Sequence, residues 1–225
     1  EEILGEARRR GADFADLRVI ESEGTSVSVE DGQADRVYSA EHSGAGLRVL
    51  VNGAWGFAPT NLLTRDELRR CLDDALAMAK AAAGHVTDPG MVAPTEPVEA
   101  VVQSAAQIDP RDVPLSERVA RIFEIERVAR ERDERIVNTT AGYHDSAGTM
   151  RLANTFGTFI EQQAIRCAVR VMATAQSGNV RQFCTESEAG PRGYELVQAI
   201  DPEVWAGDVA DRALGLLDAA PGPAG

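Results

Sequence analysis

The chain has 225 residues, of which 44% are hydrophobic and 26% charged, enough to bury one large core or two modest ones. This composition excludes a disordered chain, a collagen and a disulfide-stabilised mini-protein. The 36 acidic residues outnumber the 23 basic ones, and the net charge of −13 disfavours nucleic acid as a partner, because most of the surface would repel phosphates.

The sequence carries no mark of a membrane or secreted protein. No apolar run is long enough to cross a bilayer, and the N-terminus lacks the basic and then apolar order of a signal peptide. The three cysteines fit neither a disulfide framework nor a CxxC pair. We therefore expect a cytoplasmic protein with reduced thiols and no membrane partner.

The first predicted unit covers residues 1–84 and consists of a helix, a strand meander and a second helix. The first helix is expected to end at Gly11. Alternating residues then predict antiparallel strands with turns at Asp31-Gly32 and Asn52-Gly53, since both dipeptides tolerate positive φ. The segment Thr64-Arg65-Asp66-Glu67 has the form of a capping box and begins the second helix.

Residues 85–114 carry five prolines and little periodicity, which predicts an extended connection. The second predicted unit, residues 115–225, repeats the plan with a helix, a strand meander and two closing helices. Its first helix is expected to keep glutamates such as Glu126 in solvent, and Asp145-Ser146-Ala147-Gly148 predicts a turn within the meander. The stretch 219–225 has the composition of a linker. The order of elements predicts an α+β fold, in which helices pack on the β-sheets of two helix-plus-antiparallel-meander units.

No short spacing in the chain is typical of a metal or nucleophile site. The three histidines are far apart, and HExxH, CxxC and G-x-S-x-G motifs are absent. His144-Asp145 could converge with Cys167 and Cys184 from neighbouring strands, but a solvent-facing histidine and core cysteines are favoured. The expectation is that this chain contributes no catalytic residue and no metal ligand.

The aromatic residues supply the few candidates for contact with a substrate or partner. Trp55 and Phe57 share one face of a short strand, where they form either part of the core, which is favoured, or an exposed platform. Asn154-Thr155-Phe156-Gly157 predicts a turn whose Asn and Gly are explained by positive φ alone. Trp55, Phe57, Asn154 and Phe156 are the candidates.

Three stretches of the chain, residues 12–18, 26–32 and 44–58, resemble the N-terminal part of the TldD/PmbA metallopeptidases. Residues 108–110, 154–162 and 193–195 resemble the middle region of that family, so the resemblance spans nearly the whole chain. The string Gly-Ala-Trp-Gly-Phe-Ala within the third stretch is more similar to the TldD branch than to the PmbA (TldE) branch.

The resemblance implies a cytosolic zinc peptidase that works as a TldD–TldE heterodimer on unfolded or extended peptides, as in peptide maturation. In that family a His-Glu-x-x-x-His helix and a later cysteine hold the metal, and this sequence contains no such motif. On this resemblance Cys71, Cys167 and Cys184 are not metal ligands, and the chain leads into an absent C-terminal catalytic domain. We expect a non-catalytic portion that binds no zinc, is inactive alone, and contributes substrate-channel walls and subunit contacts.

Two other hypotheses stay open. One is a stand-alone binding or assembly module of the same fold, which pairs with a homologous TldE/PmbA-like subunit or with itself and cleaves nothing. The other is an unrelated hydrolase that uses His144 with a neighbouring acid or serine.

Overall fold

The computed structural model describes residues 1–219, so the predicted linker lies outside the described residues apart from Ala219. The described helices are α1 (Glu2–Arg9), α2 (Arg65–Ala83), α3 (Leu115–Arg130), α4 (Glu195–Gln198) and α5 (Pro202–Leu217), with a 3₁₀ turn at Pro110–Asp112. The described strands are β1 (Phe14–Glu30), β2 (Gln33–Val51), β3 (Ala54–Thr60), β4 (Glu99–Val102), β5 (Ile136–Asn154), β6 (Phe159–Ser177) and β7 (Val180–Gly190). The predicted α+β class is confirmed. Among residues 1–219, no helix is both long enough and apolar enough to cross a membrane.

The strands form one sheet in the order β3-β2-β1-β5-β6-β4, with β7 also paired to β6. The two predicted meanders join because β1 pairs with β5. The Thr155 amide donates to the Ala15 carbonyl at 2.8 Å, and the Asp31 amide donates to the Thr139 carbonyl at 3.1 Å. The partner numbers fall on β5 as they rise on β1, which makes this pair antiparallel.

The chain divides by its contacts into two compact units. Unit 1 comprises Glu1–Ser22, Glu41–Ser104 and Gly148–Ala164. Unit 2 comprises Glu23–Ala40, Ala105–Ala147 and the described residues from Ile165 onward. Strands β1, β2, β5 and β6 have residues in both units. The division into residues 1–84, 85–114 and 115–225, made on the order of elements, stays a prediction about the domains.

Helices α1 and α2 cover one face of the sheet in unit 1. The predicted turn at Asn52-Gly53 is confirmed, with φ of 48° and 79°. Thr64 also begins α2 as predicted, since its side chain accepts the Glu67 amide hydrogen at 3.3 Å, while the Glu67 carboxylate accepts from the Thr60 hydroxyl at 3.4 Å. A Cβ at Gly56 would lie 1.9 Å from the Ala75 carbonyl oxygen, so only glycine lets α2 approach β3 this closely. The apolar layer between the helices and the strands includes Leu47, Val49, Leu72, Leu76 and Ala79.

Helices α3, α4 and α5 contribute to the core of unit 2, where two predictions about polar residues are wrong. Glu126 is fully buried rather than in solvent, because its carboxylate accepts hydrogen bonds from the Thr139 hydroxyl and, at 3.1 Å, from the Gly32 amide. Asp145 does not begin a turn, since β5 runs unbroken through it. Its buried carboxylate accepts the Thr25 amide hydrogen at 3.0 Å, a contact that suits an extended strand.

The connection over residues 85–114 contains more structure than predicted. Strand β4 pairs in parallel with the start of β6, and Glu99 lies opposite Phe159. The four residues of β4 are too few to show the alternation that would predict a strand. The strand also has no buried face that an apolar pattern could reveal, since even Val101 is exposed.

Candidate functional site

The sheet face of unit 1 that the helices leave uncovered carries an unusual set of side chains. Ala15 on β1 is fully buried in the helix-covered core, and the alternation of a strand then directs Asp16, Arg18 and Ile20 to the opposite face. On β2, Arg48 lies opposite Phe57 of β3 and adds a cation and an aromatic ring. We call this the open face of unit 1.

A cleft of about 500 Å³ lies on the open face. Glycines keep its floor clear: a Cβ at Gly46 would come 3.0 Å from the Phe57 ring, and one at Gly44 would come 3.1 Å from the Thr60 carbonyl oxygen. These two glycines of β2 therefore permit the close approach of β3. The lining residues are Asp16, Arg18, Ile20, Gly44, Ala45, Gly46, Arg48, Phe57, Pro59 and Thr60.

Arg48 is held in place by two neighbours. Its Nε lies 3.1 Å from both carboxylate oxygens of Asp16 and its Nη2 lies 2.5 Å from Oδ2, while its guanidinium carbon lies 5.3 Å from the centre of the Trp55 ring. The hydrogen bonds that Arg48 donates to Asp16 raise the pKa of Arg48 above its ordinary value. The Asp16 side chain is only 8% exposed, so its charge is directed at Arg48 rather than at solvent.

Arg18 differs from Arg48 because it is exposed and forms no hydrogen bond or ion pair within residues 1–219. Its charge is therefore free to act on a molecule in the cleft. Sequence reasoning missed Asp16, Arg18, Ile20 and Arg48 as site residues. The alternation along β1 indicated that Asp16, Arg18 and Ile20 share one face of the strand. It could not show which strands lie beside β1.

The favoured core position for Trp55 and Phe57 is wrong. Trp55 is 40% exposed and Phe57 is 48% exposed, both on the open face. Phe14, which was not predicted, is buried beside Trp55 and Phe156, with ring centroids 6.1 Å and 5.0 Å away. Trp55 and Phe156, two of the four candidates, thus both lie against the buried Phe14 ring, while Phe57 lines the cleft.

The Asn154 side chain stabilises a local turn. Its Oδ1 accepts amide hydrogens from Phe156 at 2.9 Å and from Thr158 at 3.1 Å, and Gly157 has a φ of +100°. This confirms the predicted turn. Contact of Trp55, Phe57, Asn154 and Phe156 with a substrate or partner stays a prediction.

The polar cluster of unit 2 lies in the core and is closed to ligands. The Arg118 guanidinium donates to the Asp145 carboxylate at 2.7 Å, and both side chains are buried. Burial raises the pKa of Cys167 to about 11, which keeps this thiol protonated at neutral pH. His144 is exposed, whereas Asp145 is buried next to it in the same strand, so the two alternate across the sheet. Asp145 is therefore not placed to act as the neighbouring acid of the His144 hydrolase hypothesis.

Two family profiles match most of the chain. One, described as PmbA/TldA metallopeptidase domain 1, matches residues 15–79. The other, described as the PmbA/TldA metallopeptidase central domain, matches residues 108–217. The chain belongs to the PmbA/TldD metallopeptidase family. The resemblance drawn from the sequence is confirmed.

Relatives within the PmbA/TldD family carry the name metalloprotease. One from Synechocystis sp. is 31% identical over 204 residues, which are 90% of this chain and 43% of the relative. One from Methanothermobacter thermautotrophicus is 32% identical over 213 residues, which are 95% of this chain and 45% of the relative. The chain thus spans less than half the length of the curated relatives that it matches.

Solved structures share the PmbA/TldD fold. TldE from Thermococcus kodakarensis aligns with a TM-score of 0.74 at 14% identity, over 96% of this chain and 46% of that one. A proposed modulator of DNA gyrase from Thermotoga maritima aligns with a TM-score of 0.79 at 20% identity, over 100% of this chain and 49% of that one. At such identities these two structures support the fold alone.

The PmbA/TldD family name implies a metal, and the described residues do not fit one. Within residues 1–219, no three His, Cys, Asp or Glu side chains lie close enough together to hold an ion. Asp145 is engaged by Arg118, and Cys167 lies 3.8 Å from the Tyr143 hydroxyl. Two of the candidate donors named from the sequence, Asp145 and Cys167, are therefore engaged in other contacts.

Proposed function

We propose that this chain is a non-catalytic portion of a TldD-like zinc metallopeptidase that cleaves unfolded or extended peptides. In this proposal the chain forms walls of the substrate channel and contacts between subunits, and it does not hydrolyse peptides alone. The zinc and the residues that activate water belong to parts of the family protein other than the first and central domains.

One observation carries the proposal. Residues 15–79 and 108–217 match the first and central domains of a metallopeptidase family. Residues 1–219 contain no set of side chains that could hold a metal ion. A peptidase needs a group that activates water and polarises the scissile carbonyl, and three or four donor side chains must converge to hold zinc for that purpose. A division of labour between domains accounts for both findings.

Features of unit 1 support peptide binding. The cleft on the open face combines the exposed Phe57 and Ile20 with arginine side chains, a mixture that suits the alternating side chains of an extended peptide. Strands β3 and β4 stand at the two ends of the strand order, and an outer strand can take up a peptide as a further strand. Exposed Val101 on β4 adds apolar surface at that strand.

The partner we propose is a homologous TldE/PmbA-like subunit or a second copy of this chain. The fold shared with TldE supports a homologous partner, because related folds readily form equivalent contacts. We also propose that the protein works in the cytoplasm. All three cysteines are unpaired, and unpaired buried thiols are typical of a reducing compartment.

Metal analysis of the purified chain tests this proposal. The chain is dialysed against zinc chloride and then against buffer, and bound zinc is measured by mass spectrometry beside hydrolysis of an unstructured fluorogenic peptide. We expect neither stoichiometric zinc nor hydrolysis. Stoichiometric zinc together with peptide cleavage would overturn the proposal. His144→Ala is the matched control, because any weak zinc binding by exposed histidine should fall in that variant.

A second measurement separates the peptidase component from a stand-alone assembly module. A fluorescein-labelled unstructured peptide is titrated with the chain, and its anisotropy is recorded. We expect the anisotropy to rise on binding. A chain that pairs with a subunit but binds no peptide at all is an assembly module, and the substrate-channel role is then wrong.

A further inference from the structure

We propose that the cleft on the open face of unit 1 selects extended peptides in which an acidic side chain lies two positions from an apolar one. Arg18 is the residue that recognises the acid, and Phe57 with Ile20 receives the apolar side chain. This inference rests on the proposed function and names the class of peptide that its binding surface prefers.

The charges of the cleft favour an acidic ligand. Two arginines and one carboxylate line it, which leaves one net positive charge in a chain whose net charge is −13. The carboxylate of Asp16 is already bound by Arg48, which donates three short hydrogen bonds to it. The unpaired charge is therefore that of Arg18, and a guanidinium with free donors binds a carboxylate well.

The apolar part of the cleft sets the spacing. Arg18 and Ile20 are two positions apart on one face of β1, and Phe57 faces the same cleft from β3. Ile20 is 46% exposed and Phe57 is 48% exposed, although both have large apolar surfaces. In an extended peptide that runs along β1, every second side chain points towards the cleft. If an acidic side chain lies at Arg18, the side chain two positions further along the peptide therefore lies over the apolar surface.

Arg48 is not the selecting residue, because Asp16 and Trp55 already occupy its guanidinium. It forms part of the floor, and its contact with Trp55 makes that indole a reporter of the cleft. The chain has two tryptophans, so Trp205→Phe leaves Trp55 as the sole source of indole fluorescence.

The test uses the full chain with Trp205→Phe and short unstructured peptides built on Glu-Ser-Leu, Gln-Ser-Leu and Lys-Ser-Leu. Binding is measured by the anisotropy of a fluorescein label, and its location by the fluorescence of Trp55 with unlabelled peptide. We expect the Glu peptide to bind about fivefold or more tightly than the Gln peptide and to change the Trp55 emission. The Lys peptide is attracted by the acidic chain as a whole, and we expect its binding to leave Trp55 unchanged.

Arg18→Gln should abolish the preference for Glu over Gln, and Arg18→Lys should retain part of it. The melting temperature should stay the same, since the exposed Arg18 side chain has no hydrogen bond or ion pair within residues 1–219 to lose. The matched control is Arg36→Gln, an exposed arginine of β2 in unit 2 that changes the net charge equally and should keep the preference. Phe57→Ala should weaken the Glu and Gln peptides alike.

Equal affinity for the Glu and Gln peptides, or a preference that survives Arg18→Gln, would overturn this inference while leaving peptide binding by the proposed peptidase component intact. Absence of binding by every peptide would contradict both proposals. If sedimentation shows that Arg18→Gln or Phe57→Ala dissociates an oligomer of the chain instead, the cleft is a subunit contact and the inference is wrong.

Discussion

Unit 1 and unit 2 each contain an arginine–aspartate pair in which the aspartate is buried, and these two pairs differ in the exposure of the arginine. In unit 2 the side chains of Arg118 and Asp145 are 10% and 4% exposed, under the helices. In unit 1 the Asp16 side chain is 8% exposed, but the Arg48 side chain is 54% exposed on the open face. The same two residue types therefore form a buried salt bridge in unit 2 and part of the floor of an accessible cleft in unit 1.

Two pairs of aromatic residues, one in each unit, show a similar contrast. Tyr143 and Tyr194 in unit 2 are almost fully buried, with ring centroids 6.0 Å apart. Trp55 and Phe57 in unit 1 are each exposed by 40% or more. A large apolar ring at a water-exposed position stabilises the fold little, and this contrast directs attention to unit 1 for binding and to unit 2 for stability.

The largest expected effect comes from breaking the buried pair. Asp145→Ala should lower the free energy of unfolding by about 3–5 kcal/mol, because Arg118 is left charged in the core and the Thr25 amide loses its acceptor. Asp16→Ala should cost about 1 kcal/mol or less, since Arg48 can turn to water. Urea unfolding of both variants measures the difference, and equal losses would contradict the contrast between the units.

A smaller effect is expected for the aromatic cluster of unit 1. Phe14→Ala should cost about 3 kcal/mol or more, because Phe14 is only 6% exposed and its removal leaves a cavity beside Trp55 and Phe156. Trp55→Ala should cost less than about 2 kcal/mol, since much of its ring is already in water. Thermal or urea unfolding decides the order, and a Trp55→Ala variant less stable than Phe14→Ala would show that Trp55 belongs to the core.

The third expected effect is a pH dependence that arises from a buried tyrosine of unit 2. Burial raises the pKa of Tyr194 from 10.0 to about 12, so the folded state holds this proton more tightly than the unfolded state. The resulting stability is complete below pH 10 and is lost as the pH rises towards 12. In Tyr194→Phe the loss of unfolding free energy over this range should be smaller by about 2 kcal/mol.

Urea unfolding at a series of alkaline pH values measures this loss in the wild type and in Tyr194→Phe. The control is Tyr38→Phe, which removes a tyrosine that is 47% exposed and should keep the wild-type slope. A slope shared by all three proteins would mean that Tyr194 is not buried in its neutral form.

Local patterns were predicted well where a few neighbouring residues decide the conformation. The turns at Asp31-Gly32 and Asn52-Gly53 form as expected, because the left-handed backbone they require is accessible to these residues in any context. The N-cap at Thr64 forms for a similar reason, since the donor amide of Glu67 and the acceptor hydroxyl of Thr64 are three residues apart.

Predictions failed where the deciding partner is distant in the chain. Glu126 is buried because Gly32, 94 positions away, donates to it, and Asp145 stays in a strand because Thr25, 120 positions away, does the same. A glutamate in a helix and an aspartate near glycine ordinarily indicate solvent and a turn. Strand β4 was missed because its pairing with β6 lies outside any local pattern.

The sequence by itself determined the family, the α+β class, the glycine turns at Asp31-Gly32 and Asn52-Gly53 and most of the helices, because these depend on residue types at short spacing. The pairing of β1 with β5, the face on which Trp55 and Phe57 lie, and the freedom of Arg18 beside an occupied Arg48 were decided only by the tertiary structure. The physical reason is that a strand presents two faces of equal local geometry. Other parts of the chain decide which face of a strand packs against helices and which is exposed to water, and the local sequence of the strand does not specify them.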